Sequence, residues 1–495
     1  MAANLEYTIV DESTGQPVHA RVYVTSADGE HLPIDNGIQF SKGEETHTIV
    51  QGGFTAEVPA GEITVRVERG LEYTPIEKSI TLADGELLEH TISLSRWIDM
   101  SGWYAGDLHV HRDWHEMPEL ILAEDLHIGT NITVHNHKSA WVDEPKLSQP
   151  IIPVDDTHFV SVCDQEIERL FTGGGAIIFL GLSDPVTILV DHHSPTDIHL
   201  ARLAKKAGAH VDAEKPFWHE TPVNVALGGV DSMGVVTNHF HRQKIMLGAE
   251  EWGAWPREFD HTHWMGFVLW FCDLYSRFLN CGFQLGASAG TASGIMPSPV
   301  GYNRAYVHFG DAPLSYESWF ERLKAGRSFA TNGPILKMSV SGREIGDTVK
   351  LGSGSPPVEV VATARGLEPI DRLELVHNGD VIAEATPNGD PHLVHLESEV
   401  VVGGSGWLAI RAFAPMERTI RFAHTSPVYL SYQGRPVADA EAARYFAGRI
   451  EELILQVSRE GWFPSSQARE EALSYFRQAV DVYRQIEATA GELAD

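Results

Sequence analysis

Residues 106–137 bring together side chains that could hold a metal ion. Gly106-Asp107-Leu108-His109-Val110-His111 is followed by His115, and then by Ile132-Thr133-Val134-His135-Asn136-His137. Side chains alternate across a strand, so two histidines one residue apart on a strand point the same way. Imidazole is the commonest metal ligand, and a pair delivered from one strand end makes a rigid half-site. A single such pair is often surface decoration. Two pairs, spaced about 25 residues apart like adjacent strands of an α/β barrel, predict a metal centre.

The elements that must position these pairs can be read from the hydrophobic pattern. From Trp103 to about Pro334, apolar strand candidates alternate with helical stretches, as in a parallel α/β barrel. Leu120–His127 is amphipathic and precedes a Thr130–Val134 strand. Ala176–Leu182 is wholly apolar, Ile198–Ala207 is helical, and Val235–Thr237 and Leu285–Ala287 read as further strand ends. Active sites of such barrels lie at the carboxyl ends of strands. The polar residues following these runs are therefore the candidates: His109/His111, His135/His137, Glu166, Glu214/Lys215, Asn238/His239/His241 and Ser288.

Four segments are expected. Residues 1–98 alternate as short strands (Leu5–Val10, Ala20–Thr25, Phe54–Val58, Ile63–Glu68, Leu87–Leu94), the pattern of a prealbumin-like β-sandwich. The barrel occupies 99–335. A second sandwich spans 336–432, with a hairpin at Asn378-Gly379. Residues 433–495 read as a helical hairpin broken at Trp462-Phe463-Pro464, docked on the barrel or on a second subunit, so a homo-oligomer is compatible with the chain. The expected fold class is thus α/β: a distorted β/α barrel flanked by two sandwiches and a helical segment.

Of 25 histidines, 16 fall between His109 and His263, so the enrichment is local. The formal net charge of −31 disfavours nucleic acid and anionic membranes as partners, and no Lys/Arg cluster offsets it. No apolar run is long enough to suggest a membrane span, and the first residues resemble no secretory signal. Cys163, Cys272 and Cys281 suit neither a disulfide framework nor a zinc ribbon. A cytoplasmic protein acting on a small-molecule substrate is expected.

Gly106-Asp107-Leu108-His109-Val110-His111 after a sandwich, and Gly326-Arg327-Ser328-Phe329-Ala330-Thr331-Asn332-Gly333-Pro334 at the barrel's end, resemble the CehA/McbA family of metallohydrolases, within the polymerase-and-histidinol-phosphatase (PHP) superfamily. The likeness covers roughly residues 100–335. A branch carrying Glu-Lys-Pro-Phe-Trp (Glu214–Trp218) and Ser-Ala-Gly-Thr-Ala-Ser-Gly (Ser288–Gly294) is still more similar. The superfamily implies a distorted barrel holding divalent zinc, manganese or iron and hydrolysing phosphoesters; the named family implies carbamate or amide bonds. By that resemblance His109 and His111 match the paired ligands, and Glu166 matches a glutamate that often bridges metals. His135 matches the histidine of a Thr-Asp-His-Asn element, with Val134 in place of Asp. His239 follows a strand that supplies another ligand. Two departures stand out: Glu214-Lys215-Pro216 replaces Ala-His-Pro, and Ser288-Ala289-Gly290-Thr291 replaces Ser-Asp-x-His.

Those losses leave too few ligands for a multinuclear phosphate clamp, and three or four ligands fit one ion with open positions. The expected site is metal-binding His109, His111, Glu166 and His239. His135 would serve as a fifth ligand or an acid behind the ligands. Lys215 or Glu214 would assist proton transfer to or from a carbonyl-type or glycosidic substrate; for Lys215 a carbamylated ligand, a contact to a substrate carboxylate and a structural salt bridge with Glu214 are the alternatives. Trp252, Trp255, Arg257 and Arg304 are substrate-binding candidates, with a buried aromatic cluster and an ion pair on the barrel floor as the alternatives. His261 and His263 form a further pair beside Asp260. A metal-dependent lyase, or a non-catalytic sugar- or peptide-binding protein on a decayed barrel, are the competing readings.

Overall fold

The computed structural model describes residues 2–142, 145, 147–169, 174–186, 193–260 and 262–494. The architecture is mixed α/β, with strands gathered in sheets and seven α-helices among the described residues.

In the N-terminal region, Ala3, Leu5, Tyr7 and Ile9 alternate inward along the Ala2–Asp11 strand. They share a core with Val22, Val24, Val65 and Val67 of a second sheet. Ala2–Asp11 pairs with Gly53–Pro59 and Leu87–Leu94. The second sheet has five strands, ordered Ile38–Lys42, Glu45–Gln51, His19–Ser26, Gly61–Glu68, Ile76–Leu82. Two sheets facing each other make the expected sandwich.

In the central region Trp103–Asp107, Ile128–His135 and Phe159–Arg169 are parallel neighbours, and so are His210–Ala213, Ser232–Val236 and Gly286–Ala289. Gly175–Leu180 joins the two series antiparallel on both sides. Parallel neighbours need a crossover of a dozen or more residues, and residues 170–174 are too few. A uniformly parallel sheet is therefore corrected at this strand. Arg304–His308 is likewise antiparallel to both Trp103–Asp107 and Ser328–Thr331. The helix Trp264–Asn280 is largely buried behind the sheet, where Phe217 stacks on Trp270 at 5.0 Å.

The boundary expected at 335 is not a break in the hydrogen-bonded structure, because Ile420–Thr425 pairs with Ser328–Thr331. The C-terminal strands include Arg372–His377 and Asp380–Ala385, which turn at Asn378-Gly379 as the sequence predicts. Ala440–Glu460 packs on Trp264–Asn280, with Phe446 stacked on Phe278 at 4.1 Å, and Ser466–Ala494 packs on Ala440–Glu460 and on Thr221–Ala226. No helix among the described residues is long and apolar enough to cross a membrane.

Candidate metal centre

The strand leading to the first histidine pair ends at Asp107, and the chain bends at Leu108 and runs on to His111 beside residues 289–293, bridged to them at Val110. Leu108 N donates to Ala289 O (3.1 Å), Ala292 N to His109 O (2.5 Å) and His111 N to Ser293 O (2.8 Å). Glycine makes this approach feasible. A Cβ on Gly290 would sit 2.5 Å from His109 Cβ, and one on Gly294 would sit 2.0 Å from His111 O. The buried Asp107 carboxylate accepts from His109 N (3.1 Å), Thr291 N (3.0 Å) and Gly301 N (2.8 Å). The glycine-rich Ser288–Gly294 stretch thus props the ligand segment. Ser288 itself donates to the buried Asp212 at 2.6 Å.

His135 closes the neighbouring strand and lies in register with Glu166 on the next. Glu166 and Glu168, two residues apart on that strand, share a face. The donors converge in two overlapping triads, His109–His111–Glu166 and His135–Glu166–Glu168, each with its ligand atoms within 4.8 Å of one another. His109 Nε2 and His111 Nε2 are 3.0 Å apart, and Glu166 Oε2 is 3.5 Å and 3.1 Å from them. His135 Nε2 is 3.7 Å from Glu166 Oε2 and 2.9 Å from Glu168 Oε2.

The charges around these atoms explain their protonation. Burial opposes a charged ring at His109, but Glu166 and Glu214 outweigh it and raise its pKa to about 10. Burial likewise pushes the Glu166 carboxyl up, and His109 and His111 overcome that, holding it well below the usual carboxylate range. His111 is lowered, mainly by burial. His135 is raised: burial works against it, and its contact with Glu168 prevails.

Glu214 lies behind the ligands. Its Oε1 is 3.0 Å from His109 Nδ1, the place from which carboxylates orient metal-bound histidines. The same oxygen is bonded to Lys215 Nζ. The two residues thus form the salt bridge that the sequence offers as the alternative to a proton-transfer role. His239 donates from Nδ1 to Met246 O at 2.9 Å, which leaves Nε2 as the acceptor nitrogen. Burial and Lys215 keep the ring neutral, with a pKa of about 3. His239 lines the same cavity, of about 230 Å³, as the two triads, but belongs to neither.

The N-terminal sandwich and the C-terminal strand region both brace the loop after His239. Arg242 reaches Tyr23 Oη and Glu68 (2.6 Å), and Gln243 Nε2 donates to Glu45 at 2.8 Å, all on the N-terminal sandwich. From the C-terminal side, Thr419 Oγ1 donates to His241 O at 2.7 Å, and Ile245 N donates to Arg418 O at 3.0 Å.

The substrate-binding candidates fall elsewhere. Arg304 is 1% exposed, and its guanidinium donates to Gly301 O (2.6 Å) and Glu124 O (3.0 Å), away from the cavity. Arg257 donates to Glu250 at 2.7 Å and covers the Phe267 ring. Trp255 is buried between His219 and Arg449 of the C-terminal helices. These three are therefore corrected to packing and ion-pair roles, because none of them lines the cavity. The Trp252 side chain and His261 lie outside the described residues. His263 caps the Trp264–Asn280 helix by accepting from Met265 N, and His137 is exposed. Trp218 and Asn238, by contrast, do line the cavity. Asn238 is among the polar candidates that follow the Val235–Thr237 run, and Trp218 closes the Glu214–Trp218 segment.

No family model matches this chain. Over 112 residues it is 26% identical to the human adhesion G-protein coupled receptor G4, a stretch that covers 23% of this chain and 4% of that receptor. The chain therefore corresponds to only a small fraction of that relative's length. The β-glucuronidase of Parabacteroides merdae aligns over 85% of this chain and 61% of its own, at 9% identity and a TM-score of 0.15, too low to indicate a shared fold.

Proposed function

We propose that the chain is a metal-dependent hydrolase of a small organic substrate, built on a distorted barrel of the PHP type and related to the CehA/McbA metallohydrolases. The observation that carries this reading is the convergence of ligand atoms from buried His109 and Glu166 and partly buried His111, supplied by two separate chain segments. Around a four-coordinate zinc with bonds of about 2.0–2.1 Å, neighbouring ligand atoms lie roughly 3.3 Å apart. The observed separations of 3.0, 3.1 and 3.5 Å fit that donor set without rearrangement. Nitrogen and carboxylate donors suit zinc, manganese or iron.

His109, His111 and Glu166 would hold the first ion. His135 and Glu168 would hold a second with Glu166 between them, or serve as a proton-transfer pair. A divalent ion supplies Lewis acidity and lowers the pKa of a coordinated water. The chain's own groups do the rest. Glu214 fixes the His109 ring, His239 Nε2 presents an acceptor to the cavity, and the His135–Glu168 pair, joined through His135 Nε2, holds a proton that either partner can pass to the leaving group. Lys215, held by Glu214, contributes a fixed positive charge at the cavity wall.

The bond broken is of the carbonyl type (ester, amide or carbamate) or glycosidic. Phosphomonoesters fit poorly, because Lys215, Ala289 and Thr291 stand where the superfamily places further His and Asp ligands, and Lys215 is committed to Glu214. Turnover of metal-loaded protein against carboxyl esters, amides, carbamates, glycosides and phosphomonoesters tests this. Metal-dependent hydrolysis of one of the first four is expected. Phosphomonoester hydrolysis as the dominant activity would overturn it.

A further inference from the structure

A second cavity, of about 620 Å³, shares no lining residue with the metal centre. It is walled by the Ser466–Ala494 helix, the end of the Trp264–Asn280 helix, the Val428–Tyr432 strand and residues 435–438. Its volume falls within the ~300–1,000 Å³ of small-molecule sites. Residues three and four apart on a helix share a face, and Val482, Gln485, Ile486 and Thr489 turn one such face to the cavity. No charge lies on that face, although Asp481, Arg484 and Glu487 are neighbours in sequence. Val482 and Ile486 are partly exposed, as is Val437, so each offers apolar surface that a ligand can touch.

Arg435 is the one charged residue of the described lining, which includes no Asp or Glu. Its backbone is pinned: the N–H donates to Tyr432 O at 3.0 Å, and the carbonyl accepts from Ser405 Oγ at 2.6 Å. Its side chain is exposed and makes no hydrogen bond or ion pair with a described residue, so the guanidinium can turn onto a ligand. With 68 acidic residues against 37 basic ones, partners for an arginine are plentiful in this chain, and an unpaired one beside an acid-free wall departs from the average. Asp439, just beyond the lining, is committed to capping the Ala440–Glu460 helix through Ala442 N at 2.7 Å. The net charge of −31 does not bar an anion here, because exposed charges more than about 8–10 Å away are largely screened at physiological salt.

We propose that this cavity binds a small monocarboxylate with an apolar body. The planar fork of the Arg435 guanidinium takes the carboxylate bidentately, and the body lies against Val482, Ile486 and Val437. One lining cation matches one negative charge, whereas a phosphate dianion would find half its charge unmet. Burial raises the pKa of the Cys281 thiol in the same wall, so the ligand is held without covalent attachment. A bound acid joins the C-terminal helix to the strand across the cavity and stabilises the folded chain by mass action. The site is independent of the hydrolase reading.

Octanoate and octan-1-ol share a tail and differ in charge, and each is titrated by calorimetry into the full metal-free chain. Octanoate should saturate about one site per chain and bind roughly 10-fold or more tightly than the alcohol, the contribution of a hydrogen bond to a charged group. Arg435→Gln should weaken octanoate by a similar factor and leave octan-1-ol within about 3-fold. Gln485→Glu puts a carboxylate into the wall and should likewise weaken octanoate alone. Both side chains are exposed, so neither change disturbs the core. Octanoate should also raise the melting temperature of wild type and not that of Arg435→Gln. Absence of saturable octanoate binding, equal affinity for the alcohol, or undiminished affinity in Arg435→Gln overturns the proposal. Neither Arg435 nor Gln485 lines the metal cavity, so the result stands apart from the metal centre.

Discussion

The side chains of His109 and His111 are 3% and 9% exposed, whereas those of His135 and Glu168 are 25% and 28% exposed, although both pairs meet the same Glu166 carboxylate. The enclosed pair is braced from every side: Asp107 accepts from His109 N, Glu214 stands at His109 Nδ1, and Gly290 and Gly294 let the neighbouring loop close on it. The open pair has each other and Asn136, which bonds the Glu168 backbone through both ends of its amide. Ligands held this differently are suited to different tasks. A rigid, dry triad fixes an ion, and a looser, wetter one meets substrate and exchanges protons.

The most damaging single change should be at the shared residue. Glu166→Gln removes a charge from both triads, so metal affinity should fall about 100-fold or more, beyond the 10–100-fold typical of groups that merely support ligands. Isothermal titration with zinc measures it. A smaller loss here than in Glu168→Gln would invert the comparison.

Glu214→Gln comes next. It withdraws the carboxylate that orients His109 and leaves Lys215 buried without its partner, so a loss of about 10- to 100-fold in affinity is expected. Equal losses for Glu214→Gln and Glu168→Gln would mean that bracing does not distinguish the two halves. Glu168→Gln should weaken binding of the first ion less than about 10-fold and act mainly on a second ion or on turnover, read from stoichiometry and kcat.

Acidity acts on the enclosed pair as well. In the metal-free protein the His109 pKa is raised from 6.5 to about 10. A group raised on folding contributes stability that is fully present below pH 6.5 and is lost as pH rises through about 10. Melting temperature of the metal-free protein should therefore decline across that window, and the decline should be smaller in His109→Ala. Metal must displace the same proton, so at pH 8 binding should release about one proton per ion, measured by calorimetry in buffers of different ionisation enthalpy. No release would place the ion away from His109.

Spacing made the enclosed pair legible, because a one-residue gap on extended backbone dictates a shared face; Glu166 and Glu168 obey the same rule. What supports them was harder to see. Asp107, Glu214 and Gly290 act through contacts between segments far apart in sequence, on which period and propensity are silent. Trp255 and Arg257 looked available for substrate because loop residues carry no sign of which way they face, and Arg304, which opens a strand, is turned to Gly301 and Glu124 by contacts that the pattern does not show. In the fold, Glu45–Gln51 escaped the alternation rule since Glu45 and His47 are buried polar residues, the former meeting Arg242 and Gln243 across the interface. The antiparallel Gly175–Leu180 strand was readable in principle from the short gap before it.

Metal content after identical loading is the most direct test of the centre. By inductively coupled plasma mass spectrometry, wild type should retain at least about one tightly held ion per chain after desalting. The double variant His109→Ala/His111→Ala should retain none, with an unchanged far-ultraviolet circular dichroism spectrum. Equal metal in the two proteins would contradict the account.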